Sequence, residues 1–365
     1  MTIPAHSARP HTKWPFAILF GIIGSLVVTI LVLAFVWPTA TASAKNIPVA
    51  IAGPAVQVSV AEKALASPAD GVIDFRGVSD RAAAITRIKQ RDVYGAIILG
   101  AKPEVLTASA AGTAPTQMLT RIAARLQAQL VAEVTAAGGN PASVTVAVTD
   151  VASLSTSDAT GAKLTTAAFP LVLGGMFGGI LISLLVVGVA RRVTALVVYG
   201  VASGLIVTLV LQNLFGAIQG NFLLNALGIG LSMMATASLV VGFNALIGPR
   251  GIAVGSVVTV LIGNPLSAAT TPYQFLAEPW GAIGQYFVPG AATTLLRSLS
   301  YFPDANTTKQ WLVLAAWAIG GLVISVAGHY RSRAPIALPA AELEDDYYAR
   351  ARTATTTDAT PTTAV

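Results

Sequence analysis

Few side chains in this sequence are placed to do chemistry. His6, His11 and His329 stand in polar stretches near the two ends, and cysteine is absent. A histidine-dependent triad or a metal site needs several such groups brought to one pocket, and these positions do not supply them. No GxxxxGK[ST] phosphate loop occurs, because the GAK at Gly161 lacks the spacing, so the chain is not expected to hydrolyse ATP itself. Asp70 and Asp74 make an acidic pair, for which solvated surface carboxylates are the ordinary reading. The expectation is a non-enzyme with no catalytic residue, metal or cofactor.

What remains is polarity inside apolar stretches. Gln212, Asn213, Asn225, Ser232, Thr236, Asn244 and Asn264 interrupt hydrophobic runs. Such residues either hydrogen-bond between helices, at about 0.6–2 kcal/mol each, or line a path. Gln212, Asn213, Asn225, Asn264 and Pro265 are the path candidates. The stretch 263–302, GNPLSAATTPYQFLAEPWGAIGQYFVPGAATTLLRSLSYF, breaks the hydrophobic block without becoming hydrophilic. Non-helical backbone at membrane depth survives only under cover of protein or a watery cavity. Within it, Trp280, Phe287, Pro289 and Arg297 are the gate or interface candidates. Gly174, Gly175, Gly178 and Gly179 form two overlapping small-xxx-small faces, repeated at Gly200 and Gly204, that serve close helix packing or a homodimer seam.

The elements that position these residues follow from hydrophobicity. The chain is 54% hydrophobic and 10% charged, with a mean hydropathy of +0.71, outside the balance of soluble domains. It reads as a polytopic α-helical membrane protein with six transmembrane helices and an extracytoplasmic α/β domain between the first and second. The net charge of +6 follows the positive-inside pattern, which removes the nucleic-acid reading. The boundaries are a cytoplasmic N-terminus at 1–14, a first span at 15–37 and the α/β domain at 45–163. The later spans are 167–190, 193–215, 222–247 and 251–269 with a broken end. An external re-entrant or interfacial segment at 270–309 leads to the last span, 310–328, and a cytoplasmic disordered tail, 329–365. TASA at 41–44 resembles a signal-peptidase site, so cleavage after Ala44 stands beside a retained anchor.

Burying Arg191 and Arg192 at mid-bilayer would cost on the order of 5–7 kcal/mol, so the turn between the second and third spans is placed there. In the domain, strands are expected at 47–52, 72–76, 93–99, 105–108 and 144–148. Helices are expected at 56–66, at 79–91 with Ser79 as N-cap, and at 115–136. The basic residues Arg81, Arg87, Lys89 and Arg91 read as one solvated face, with lipid headgroups or an anionic wall polymer as the sharper alternative. The spans themselves carry no charged residue, which disfavours proton- or ion-coupled transport.

NIPVAIAGP (46–54), DVYGAIIL (92–99), TASAAG (107–112), GNPLSAA (263–269) and GQYFVPGAATTLLRSLSYF (284–302), with the order of spans, resemble the YhgE/Pip family of bacterial membrane proteins. That family is related to membrane subunits of type-2 ABC exporters. The resemblance implies a permease-like subunit in the cytoplasmic membrane, dimeric and driven by a separate ATP-binding subunit, moving a lipophilic or envelope-related molecule. The chain departs from those exporters in having little more than Arg191-Arg192 between its second and third spans. The competing expectation is a non-transporting envelope protein whose outer domain binds a partner or wall polymer.

Overall fold

The computed structural model describes residues 13–66 and 71–331. His6, His11, Asp70, most of the N-terminal segment and the tail from 332 lie outside the described residues. The chain is a membrane-embedded helical protein that also carries a small mixed sheet.

The first helix, α1 (Trp14–Ala40), has none of its most apolar window buried. Near its far end, Phe35 meets Phe169 and Trp37 meets Trp280, both edge-on, at 6.0 and 6.3 Å. Such a helix needs no protein cover in lipid, where its backbone bonds are internal and hydrocarbon solvates its side chains.

The α/β domain follows as β1 (Ile47–Ala52), α2 (Ala55–Ala66), β2 (Ile73–Gly77), α3 (Arg81–Lys89), β3 (Ala96–Ile98), β4 (Glu104–Thr107), α4 (Thr113–Ala136) and β5 (Ala147–Asp150). The sheet order is β2-β1-β3-β4-β5, with only the β3–β4 pair antiparallel. Side chains alternate across a strand. Ile47, Val49 and Ile51 of β1 therefore face Leu119 and Ile122 of α4, while Ala50 faces Ala84 and Ile88 of α3. Ala50 and Ala96 are small, and the room they leave is filled by Phe302, a residue from far down the chain that is 1% exposed.

Two local expectations are corrected. Asp80, not Ser79, caps α3, its carboxylate accepting from the Ala83 N–H at 2.8 Å. A charged acceptor outcompetes a hydroxyl at the positive end of a helix dipole. The last strand forms at Ala147–Asp150 rather than 144–148. Gln127 of α4 bonds the Val144 carbonyl and the Val146 N–H, at 2.8 and 2.6 Å, and takes those groups from the ladder.

The bundle is built from α5 (Ala162–Leu185), α6 (Val189–Thr208, extended as a π-helix through Leu214), α7 (Phe222–Ile247), α8 (Arg250–Ser256, extended as a π-helix through Gly263), α9 (Trp280–Gly284), α10 (Val288–Tyr301) and α11 (Thr308–Arg331). Among the described residues, five helices are long and apolar enough to cross a bilayer: α1, α5, α6 with its extension, α7 and α11. The hub is α7, with 78% of its most apolar window buried against α5, α6, α8, α10 and α11.

The expected boundaries 167–190 and 193–215 shift toward the N-terminus. The carboxylate of Asp158 accepts from the N–H groups of Ala162 and Lys163, at 3.1 and 3.0 Å, which starts α5 earlier than its apolar run. Gly188, with φ +96°, turns the chain, so the connection is 186–188 and not Arg191-Arg192. Those arginines lie in the first turn of α6. There Arg192 donates from Nε to the Val186 carbonyl (2.8 Å) and from Nη2 to that of Ser183 (3.3 Å), satisfying free carbonyls at the end of α5.

Where the span 251–269 is expected, 7 α-helical and 7 π-helical residues rise about 20 Å, short of the about 30 Å hydrocarbon core. The helix ends at Gly263. A short 3₁₀ turn, Pro265–Ser267, and Ala268 at φ +53° then redirect the chain. Within the stretch 270–309, α10 packs between α7 and α11 through Ala235, Leu295, Leu314 and Ala318. Its start abuts the end of the α8 extension, where a methyl built on Gly263 would stand 3.1 Å from Pro289 Cδ. Its other end delivers Phe302 to the α/β core. Two half-helices thus meet inside the bundle, and the second joins it to the domain.

Candidate functional site

A cavity of about 550 Å³ lies between the α/β domain and α10. Its walls come from Asn46 and Pro48 at the start of β1, from 90–94 after α3, from 271–274, and from Thr293, Thr294, Arg297 and Ser298 of α10. These four separate stretches of sequence converge here because Phe302 draws the outer end of α10 against the domain.

Arg91 and Arg297 dominate the chemistry. Arg91 donates from Nη1 to the Thr294 carbonyl at 3.0 Å and to Ser298 Oγ at 2.7 Å, and its guanidinium carbon lies 5.3 Å from the centre of the Phe302 ring. Arg297 donates from Nη1 to the Ala111 carbonyl at 3.3 Å and from Nη2 to that of Ala269 at 3.1 Å. It also walls a second cavity of about 240 Å³. Loss of hydration pushes the Arg91 guanidinium down to about 10, and the like charge of Arg297 adds to that effect. Burial pushes the neighbouring Tyr94 phenol up to about 12, so it stays a neutral donor, bonded to Gln274 Oε1 at 2.8 Å.

The backbone that holds Arg91 is itself unusual. The Arg91 N–H bonds the Ile88 carbonyl at 2.9 Å and the Asp92 N–H that of Arg87 at 3.0 Å, a Schellman ending of α3. Such an ending puts one residue in the left-handed region, and here it is Arg91, at φ +61°. Glycine is the usual occupant because a Cβ costs roughly 1–2 kcal/mol in that conformation. Arg91→Gly is therefore expected to be about 1 kcal/mol more stable than Arg91→Ala. Thermal unfolding of the two variants in detergent measures the gap, and equal midpoints would contradict the strain.

The residues singled out in the sequence are not gathered here. Asn225, fully buried, donates to Gln212 Oε1 at 3.0 Å and to the Gln219 carbonyl at 2.7 Å, while Gln212 donates to the Gly220 carbonyl at 3.0 Å. These bonds tie the end of α6 to the connection before α7. Asn213 is exposed nearby. Asn264 and Pro265 form the break after α8. Trp280 meets Trp37, Phe287 stacks on Trp317 with centroids 6.0 Å apart, and Pro289 opens α10 beside Gly263. Of the gate candidates, Arg297 reaches the cavity. The solvated face expected of Arg81, Arg87, Lys89 and Arg91 is corrected: the first three are exposed, whereas Arg91 lines the cavity.

The glycines Gly174, Gly175, Gly178 and Gly179 meet this chain's own neighbouring helices. Added methyls would fall 2.7 Å from Met233 Cε, 2.7 Å from Thr236 Cβ, against the Tyr199 ring, and 2.8 Å from the Ala237 carbonyl, respectively. They seat α5 on α7 and on Tyr199 of α6.

Comparisons with known protein families, with curated proteins and with solved structures gave no match to this chain.

Proposed function

We propose that this chain is the membrane subunit of an exporter of the type-2 ABC kind, resembling YhgE/Pip proteins, and that it moves a lipophilic or envelope-related molecule. In this reading α1, α5, α6, α7, α8 with its extension, and α11 are the six spans. The α/β domain is extracytoplasmic, both termini are cytoplasmic, and two copies work with a separate ATP-binding subunit in the cytoplasmic membrane.

The observation that carries the reading is the pair of half-helices meeting at Gly263 and Pro289, with a polar cavity above them. Interrupted helices of this kind mark binding sites in transporters, since a helix end exposes free backbone groups at membrane depth. The orientation rests on charge. Lys13, Arg191, Arg192, Arg250 and Arg331 stand at the helix ends opposite the α/β domain, where the positive-inside rule puts the cytoplasm.

Purification from its native membrane in mild detergent is expected to bring down a nucleotide-binding protein in stoichiometric amount. Finding none would sink the export reading. The three-residue link 186–188 favours a second reading, an envelope protein that does not transport, because it leaves an ATPase little to grip between α5 and α6. Deleting 45–163 would then abolish function while substitutions at Asn264 and Pro265 change little. The export reading expects both to matter.

A further inference from the structure

The cavity between the α/β domain and α10 holds two guanidiniums that no carboxylate answers. The carboxylates on its wall, Asp74 and Asp92, are bonded to arginines of their own, Arg76 at 3.2 Å and Arg87 at 2.8 Å. Arg91 and Arg297 spend donors only on neutral carbonyl and hydroxyl oxygens among the described residues. Placing two partly desolvated like charges on the wall of one cavity is costly unless something negative completes the site.

Each guanidinium presents five N–H donors in a planar fork. Arg91 makes both of its hydrogen bonds from Nη1, which leaves the Nε and Nη2 edge, the one that grips an oxyanion in bidentate fashion, for a ligand. The orientation of that fork is held twice, by the Phe302 ring beneath it and by the left-handed backbone at its root. A residue kept at a strained position where glycine would serve the fold is a mark of function.

We propose that this cavity binds a phosphate group between Arg91 and Arg297, as free phosphate or as the phosphoester of a lipid headgroup. Its volume of about 550 Å³ exceeds what phosphate alone fills and leaves room for the rest of a headgroup. Lys309 and Tyr286, the sequence neighbours of the cavity residues Gln310 and Gln285, form a cation–π pair at 4.1 Å, a combination of basic and aromatic side chains favoured at membrane interfaces. The site goes beyond the export reading and stands whether or not the chain transports.

The test uses the full chain in phosphatidylcholine nanodiscs, titrated with inorganic phosphate, and in parallel nanodiscs containing phosphatidylglycerol followed by native mass spectrometry. Saturable phosphate binding, or retained phosphatidylglycerol, is expected, and each of Arg91→Gln and Arg297→Gln should weaken it by at least about tenfold. Arg81→Gln, on the outer face of α3, should leave it unchanged. Binding of phosphate alone identifies a free oxyanion site; retention of the lipid alone identifies a headgroup site.

Should the variants fold poorly, phenylglyoxal labelling of the wild type decides. Phosphate or phosphatidylglycerol should slow labelling at Arg91 and Arg297 but not at Arg81. No binding of either probe, or binding that is indifferent to both folded variants, overturns the proposal. None of these readouts involves an ATPase or transport, so they fail or succeed apart from the export reading.

Discussion

Phe302→Ala is expected to release the α/β domain from the helices at a cost of about 3–5 kcal/mol, the range for truncating a buried aromatic. Phe302 follows α10 as its C-cap, is 1% exposed, and packs among Ala50, Ala84, Ile88 and Ala96 of the domain. The sheet face it covers is lined largely by alanines, which cannot close over the void. Hydrogen exchange at β1 and α3 should rise, and limited proteolysis in detergent should cut between the domain and the bundle. Phe302→Leu keeps most of the volume and should recover most of the protection. Unchanged exchange in the alanine variant would show that the domain is held elsewhere. The same substitution removes the ring under Arg91, so phosphate binding should weaken with it.

Gly204→Val is expected to break the bundle rather than strain it. A methyl at Gly204 would fall upon the Ala226 carbonyl and 3.0 Å from Gly230 Cα, while one at Gly230 would stand 2.5 Å from the Gly200 carbonyl. The obstacles are backbone atoms on both sides of the α6–α7 seam, so no rotamer change relieves them. Ordinary overpacking costs about 1–3 kcal/mol. Here α6 would have to withdraw along a helix pair whose association in lipid rests on such close packing. Loss of a monodisperse peak in size-exclusion chromatography, with a lowered unfolding midpoint, is the expected outcome. Gly320→Ala is the control, since nothing lies within 4 Å of the added methyl. A Gly204 variant that behaves like that control would remove the seam.

Much of this architecture is local and was legible before folding. Uninterrupted apolar runs place α1, α5, α6, α7 and α11 because a helix is the one way a short segment satisfies its own backbone in hydrocarbon. The alternation of large and small residues in Ile47–Ala52 marked a buried strand. The end of the α8 extension at Gly263 is foreshadowed by Pro265, whose missing N–H and bulky ring stop the helical ladder, although Asn264 itself keeps helical dihedrals. The glycine faces showed that close packing would occur. They did not show with what, because spacing along one helix carries no information about the partner.

The sequence by itself determined which long helices are apolar enough to cross a membrane and the type of most elements, since both depend on hydrophobicity and backbone preference within a few residues. Only the tertiary structure decided the site. Arg91 and Arg297 are separated in sequence by α4 to α9, and although Arg297 stands out as a gate or interface candidate, Arg91 taken alone resembles an ordinary surface cation. They became a pair because Phe302 fills the room left by Ala50 and Ala96 and thereby docks α10 on the domain. A cavity walled by two half-buried guanidiniums is a property of that docking, and no local pattern encodes it.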